Sequence, residues 1–364
     1  MSDQYSADEI ATQAAVTKMT TDIQTLESQL AAETAKDATD EATIAALQAQ
    51  IAALKATPTP APTPAPTPTG VGRIVFGAYA SATSGGFADS GRTEDFLTAI
   101  GAVPAHSVMM CFADGSSWAN AMTQINGGYS DLLSFPGDKC LAIPLVANGG
   151  TWTDVTGGSQ DSYYTKVATY CHANGVRKIR MGWEFQGGMP WSNNLTPANF
   201  LGAWSHIYNL FQGVATGFFQ FIFNPNCGVS GWLPTWEQYY PIGQCQIIAL
   251  DEYAGSQPFI SYQTDNPPAL DDITSVAKSD GLMLAIPETS CTPGGTSWGS
   301  GDRPDFFVSL MAWATAQATA GMTVHIWPWA DNYPTPDTWG LQTYPNSFAQ
   351  FKIWVAEAIA AGLA

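Results

Sequence analysis

Between Val71 and Ala364 the chain alternates eight times between a short apolar run and a longer stretch with helical spacing, and few folds can absorb that pattern. The runs are 73–80 (RIVFGAYA), 106–113, 139–147 (KCLAIPLVA), 177–184 (RKIRMGWE), 218–224 (FFQFIFN), 245–251, 282–288 (LMLAIPE) and 323–329 (TVHIWPW). Their length and their content of Val, Ile, Phe and Met predict buried strands. Helices are expected at 160–174, 196–213, 268–279 and 303–320, the second opening with Thr196 as N-cap and Pro197 at the first helical position. Eight strand-plus-helix units in about 290 residues predict an α/β fold, the (β/α)8 barrel, with its chemistry at the C-terminal ends of the strands. An open doubly wound sheet is the alternative, but no GxGxxG or phosphate loop follows the first run.

Two segments precede this unit. Residues 1–56 lack Trp, Phe, Cys, Gly and Pro. In a seven-residue register Val16, Ile23, Leu30, Ile44 and Ile51 share one seam position, and Met19, Leu26, Leu47 and Leu54 share the other. This predicts a coiled-coil oligomerisation segment, dimer or trimer, weakened where Glu33, Asp37 and Asp40 occupy the seam. A lone amphipathic helix is the alternative, but its apolar seam would stay uncovered. Residues 57–70 (TPTPAPTPAPTPTG) predict a semi-rigid polyproline II linker. At about 3.1 Å per residue it would span about 40 Å.

Charge narrows the partners. With 31 acidic against 13 basic residues the net charge is −18, so nucleic acid and anionic membranes are poor partners. The N-terminal sequence has no secretion-signal pattern, and no run approaches 18 uninterrupted apolar residues. The six cysteines are widely spaced with no CxxC pair, which predicts buried free thiols and no zinc site, although a Cys227–Cys245 bridge stays open. No metal or organic cofactor is expected.

Charged residues make up only 12% of the chain, so carboxylates at strand ends carry weight. Glu184 ends the fourth run and Glu288 the seventh, and two carboxylates on one barrel mouth are what acid/base and nucleophilic glycoside cleavage requires. One must remain protonated near neutral pH, and the apolar neighbours Trp183 and Phe185 would raise the pKa of Glu184. Singly, either Glu reads equally as a loop acid or as a partner of an Arg. Asp251, Glu252 and Tyr253 at the end of the sixth run add polar groups to the same mouth. Trp327 and Trp329 add aromatic faces that either stack on the C–H faces of sugars or fill the barrel wall. Asp114, Trp118, Asn148, Trp152, Asn224, Asn226, Trp298 and Asp331 follow strand ends as weaker candidates for sugar subsites.

Four segments resemble glycoside hydrolase family 26, the β-mannanase-type family of retaining (β/α)8 enzymes: VFGAYA at the first strand, RMGWEFQGGMPW against that family's R-x-x-H-E-x-N-G-x-x-x-W, IIALDEY against its G-x-D-x-Y, and AIPETS at the seventh strand. The resemblance spans most of residues 72–355. It implies Glu184 as general acid/base, Glu288 as nucleophile and Tyr253 as the residue that orients the nucleophile, with Arg180 and Trp191 shaping the cleft; Trp183, Asp251, Trp298, Trp327 and Trp329, from their places at or just after strand ends, are further candidates for substrate binding. Trp183 stands where the family has His and Gln186 where it has Asn, which puts a preference for mannan in question and leaves both carboxylates in place. The expectation is a retaining glycoside hydrolase acting on a cell-surface or cell-wall polysaccharide. An oligomeric stem joined by a Pro/Thr stalk to such a barrel suits a bacteriophage tail depolymerase located on the virion beside other tail proteins. A non-catalytic glycan-binding adhesion module on the same barrel is the competing reading, and a purely structural stem protein leaves the strand-end cluster unexplained.

Overall fold

Each of the eight predicted apolar runs holds a parallel strand, and a ninth strand follows just beyond the end of the sixth run. The structure, a computed structural model, describes residues 23, 25, 72–81, 88–294, 299, 301–335 and 338–364. The expected coiled coil, the linker and Trp298 therefore lie outside the described residues, apart from positions 23 and 25.

The strands are β1 (Arg73–Ala78), β2 (Val108–Phe112), β3 (Asp138–Ile143), β4 (Lys178–Met181), β5 (Gln220–Phe223), β6 (Ile247–Ala249), β7 (Glu252–Ala254), β8 (Met283–Cys291) and β9 (Thr323–Pro328). Neighbouring strands pair in parallel from β1 through to β6, β6 pairs onward with β8, β8 with β9, and β9 with β1. The sheet thus closes into a (β/α)8 barrel of eight staves, with β6 and β7 sharing the sixth and both resting on β8. Helices α1 (Ser90–Ile100), α2 (Trp118–Gly127), α3 (Ser130–Ser134), α4 (Trp152–Thr156), α5 (Asp161–Ala173), α6 (Pro197–Val214), α7 (Gly228–Gly231), α8 (Leu270–Asp280), α9 (Pro304–Thr319) and α10 (Pro345–Ala360) form the return connections. The Thr196 side chain accepts a hydrogen bond from the Asn199 N–H, the cap that the sequence predicts for α6.

Two strand ends differ from the sequence expectation, and both matter for the site. The fourth strand stops at Met181, three residues before Glu184. The seventh stave does not end at Glu288 but continues to Cys291. Ile286 lies opposite Ile326 and Thr289 opposite Pro328, so β8 spends three residues where β9 spends two. This bulge sits at Pro287, which has no N–H to give to a ladder. It reverses the alternation: Ala285 shares a face with His325, and beyond the bulge that face passes to Glu288 rather than Thr289.

All six cysteines are free and buried, so no Cys227–Cys245 bridge forms. Inside the barrel Trp327 is fully buried and fills the space left by Gly77, where an added Cβ would stand 2.4 Å from the Trp327 Cδ1 atom. The glycine is thus a packing requirement of that layer.

Candidate active site

The chain leaves β4 through two left-handed residues. Gly182 has φ +58°, and a Cβ there would lie 2.3 Å from Leu145 Cδ1, so only glycine fits. Glu184 has φ +48°, a conformation that non-glycine residues adopt rarely and mostly under outside constraint. That constraint is visible: the Glu184 N–H donates to Asn224 O at 2.9 Å, Gly187 N–H donates to Glu184 O at 2.7 Å, and the Trp191 indole donates to Trp183 O at 2.8 Å. Gln186 ties the same turn to the next stave, accepting from Asn226 N–H at 3.0 Å and donating to Asn226 O at 2.8 Å.

Trp183 and Phe185 face opposite ways. The Trp183 ring lies 5.1 Å from Phe112 and 4.6 Å from Trp191, and 5.6 Å from the Arg180 guanidinium. Phe185 instead packs on Phe200 and Tyr239 among the outer helices. The expectation that both rings flank the Glu184 carboxyl is therefore corrected, since Phe185 belongs to the core. The Glu184 carboxyl is nevertheless raised to about 7, by burial first and by the charge of Glu288 second, against the pull of Arg180. The residue as a whole retains part of its surface exposed.

Arg180, fully buried on β4, organises the other side of the mouth. Its guanidinium donates to Glu288 Oε1 at 2.5 Å, to Asn224 Oδ1 at 2.6 Å and to the carboxylate of Asp251. Tyr253 donates its hydroxyl to Glu288 Oε2 at 2.8 Å, so both oxygens of Glu288 are held. Burial and the nearby Glu288 charge push the Tyr253 phenol well above its usual range, which keeps it a donor. Asp251 and Tyr253 thus join the mouth as expected. Glu252 does not: it pairs in register with Thr289 on the outward face, is completely buried in the vicinity of Cys227, and burial pushes its carboxyl well above the usual range.

The aromatic residues also divide. Trp329 keeps a partly exposed ring 4.2 Å from Tyr79, and Phe112 bridges it to Trp183. Trp327, expected among the substrate-facing rings, is a barrel-core residue with no exposed surface. Trp191 is 2% exposed and supports Trp183 from behind. Of the weaker candidates, Asn224 is drawn into the cluster, Asp331 is buried and bonded by Ser81, and Asp114 serves its own loop by accepting from Ser116 N–H at 2.7 Å. Trp152 donates to Asn193 O, Trp118 packs on Tyr163, Asn148 is exposed, and Asn226 pairs with Gln186. Tyr79, Phe112 and Trp339, whose ring meets Tyr253 at 5.6 Å, are site residues that the sequence reading passed over. Only the FGAY segment signalled one of them.

No family model matches the sequence, and no curated protein matches it. Solved structures do. The chain is similar to a modular endo-β-1,4-mannanase of Cellulomonas fimi from glycoside hydrolase family 26, with a TM-score of 0.56 and 18% identity over 78% of this chain and 70% of that one. It is similar to the catalytic domain of a family 26 endo-β-1,4-mannanase from Bacillus sp. JAMB-750, with a TM-score of 0.55 and 17% identity over 79% and 86%. The barrel is family 26-like. A glucosidase from Croceicoccus marinus also matches, with a TM-score of 0.51 and 13% identity over 80% and 69%, so this barrel shape is not tied to one sugar.

Proposed function

We propose that the family 26-like barrel is a retaining glycoside hydrolase in which Glu288 is the nucleophile and Glu184 the general acid/base. One observation carries this: two carboxyl groups share a mouth but differ in surroundings. Glu288 is gripped by the Arg180 guanidinium and the Tyr253 hydroxyl, while the Glu184 carboxyl is lifted to about 7. Environments that separate two carboxyls in this way assign the acid and the nucleophile.

In the first step Glu288 Oε attacks the anomeric carbon as Glu184 delivers its proton to the departing glycosidic oxygen. Arg180 and Tyr253 fix the attacking carboxylate and take up its changing charge. Glu184, now a carboxylate, removes a proton from water, which attacks the same carbon and releases the sugar and Glu288 with configuration retained. Trp329 and Trp183 supply flat apolar faces beside the reacting ring. The substrate class is a polysaccharide of a cell surface or cell wall, and Trp183 in place of His leaves the sugar to be found by experiment.

The reading extends to the rest of the chain. Residues 1–56 serve as an oligomeric stem and 57–70 as its spacer, so that several barrels meet one repetitive polymer. A phage tail, mounted on the virion and reaching a host glycan from outside, is the setting that best fits this order of segments.

Mannans, arabinans, galactans and bacterial envelope glycans offered as a panel should yield new reducing ends from at least one polymer. Glu184→Gln should cut turnover on that polymer by about 10²–10⁴-fold, the range for a general acid, and Glu288→Ala by at least as much, with both variants folded. The product's anomeric configuration, followed by NMR at early times, should match that of the substrate. Near-normal hydrolysis by either variant removes the assignment, and binding without any new reducing ends favours an adhesion module.

A further inference from the structure

Beyond the mouth, the loop that follows β5 carries Trp232, 65% exposed and the one exposed tryptophan among the described residues. A single exposed apolar side chain is ordinary on a protein surface, so the weight falls on where this indole is held. Its loop is not free to fold the ring away. Gly228 is so close to the next loop that an added Cβ would stand 1.8 Å from Asn266 O, and Gly228 and Leu233 donate N–H bonds to Pro268 O and Pro267 O at 2.8 and 3.0 Å.

The same loop is fastened to the turn that bears Glu184. Gln186 donates to Gly231 O at 3.2 Å, and a Cβ on Gly231 would stand 2.9 Å from Gln186 Cγ and 3.0 Å from Asn226 Cβ. In the turn that follows Glu184, Gly187 and Gly188 are exposed; an added Cβ on Gly187 would stand 2.9 Å from Asn226 Nδ2, whereas nothing lies within 4 Å of the place a Gly188 Cβ would take. The backbone that presents the indole is thus joined directly to the Glu184 turn, through Gln186 and Gly231, and the turn is open at Gly188.

We infer that Trp232 is the stacking platform of a leaving-group-side subsite, which binds a pyranose unit of the polymer beyond the bond that is cleaved. This rests on the hydrolase reading above. The side follows from chemistry: the general acid protonates the departing oxygen, so the surface continuous with the acid's own turn flanks the departing part of the chain. An exposed indole matches the C–H face of a pyranose, and its two side-chain torsions lose little freedom on contact. The substrate is accordingly a polymer or long oligosaccharide extending past the cleaved bond, and the cut is internal.

The test compares probes that do and do not reach Trp232. Mannohexaose, cellohexaose, xylohexaose and laminarihexaose extend across the mouth, whereas the 4-nitrophenyl β-glycosides of the matching disaccharides place only a phenol on the leaving side. For whichever hexasaccharide is cleaved, Trp232→Ala should lower kcat/KM about tenfold and move cleavage toward the reducing end. Trp232→Phe should recover most of the loss, and the matching nitrophenyl glycoside should be cleaved at the wild-type rate. Unchanged hexasaccharide kinetics, or an equal loss on the nitrophenyl glycoside, overturns the platform while leaving the hydrolase reading intact. If the wild-type protein cleaves none of these probes, electrophoresis in gels cast with galactomannan, xylan or mixed-linkage glucan decides. Retardation that Trp232→Ala abolishes keeps Trp232 as a glycan-stacking platform but overturns its leaving-group-side assignment together with the hydrolase reading. Retardation equal in both proteins, or absent from both, overturns the platform.

Discussion

Three influences set the protonation of Glu184: burial and the Glu288 charge raise it, and Arg180 lowers it. In the proposed first step the protonated form is the one that serves, so kcat/KM should fall as pH rises through about 7. Removing the second influence should be visible directly. In Glu288→Gln, a carbon-13 NMR titration of the Glu184 carboxyl should show a midpoint below that of the wild type, and an unchanged or higher midpoint would separate the two groups. The same shift bears on stability. Because the folded-state value lies above the unfolded one, Glu184 is neutral in both states at pH 4 and costs nothing there. Above pH 7 it is charged in both, and the folded protein carries the penalty. Glu184→Gln should therefore raise Tm at pH 8 and leave it near wild type at pH 4. Arg180 shows the opposite sensitivity: Arg180→Gln strands the buried carboxylates of Asp251 and Glu288, and loss of one partner from such a cluster costs about 3–5 kcal/mol in denaturant unfolding.

At the level of elements, the eight staves were legible because buried parallel strands read as unbroken apolar runs, and that pattern survives whatever packs around them. The depth of a side chain within a stave was not. Alternation says which face a residue takes but not which layer, so Trp327 and Trp329, two positions apart, read alike and yet one fills the core and the other lines the mouth. The Glu288 face was hidden for a related reason: a strict period of two from Ala285 turns Glu288 outward, and only the bulge at Pro287 brings it in. Glu184, Asp251 and Tyr253 were legible as neighbours because each closes or follows an apolar run, and Arg180 only through the family resemblance, whereas Tyr79, Phe112 and Trp339 look like ordinary core or loop aromatics until the barrel closes. The two tryptophans supply a paired test. Trp327→Ala opens a void beside Gly77 and should cost about 3–5 kcal/mol with a matching loss of Tm. Trp329→Ala should leave Tm within a few degrees of wild type and weaken binding of the cleaved polysaccharide.

For the whole molecule, the number of barrels that act together follows from the proposed stem. In that proposal Ile and Leu at alternate seam positions would associate by burying the seam, which Glu33, Asp37 and Asp40 interrupt near the middle of the sequence. Light scattering coupled to size exclusion on the full chain should give a dimer or trimer mass at neutral pH. Replacing Leu26 and Leu47 by Asp should yield a monomer whose barrels still cleave soluble oligosaccharide at the wild-type rate per chain. On an insoluble, repetitive glycan the same variant should bind about 10²-fold or more weakly, the scale at which linked sites exceed single ones. A monomeric mass for the unaltered chain would remove the stem, and with it any advantage of several barrels on one polymer.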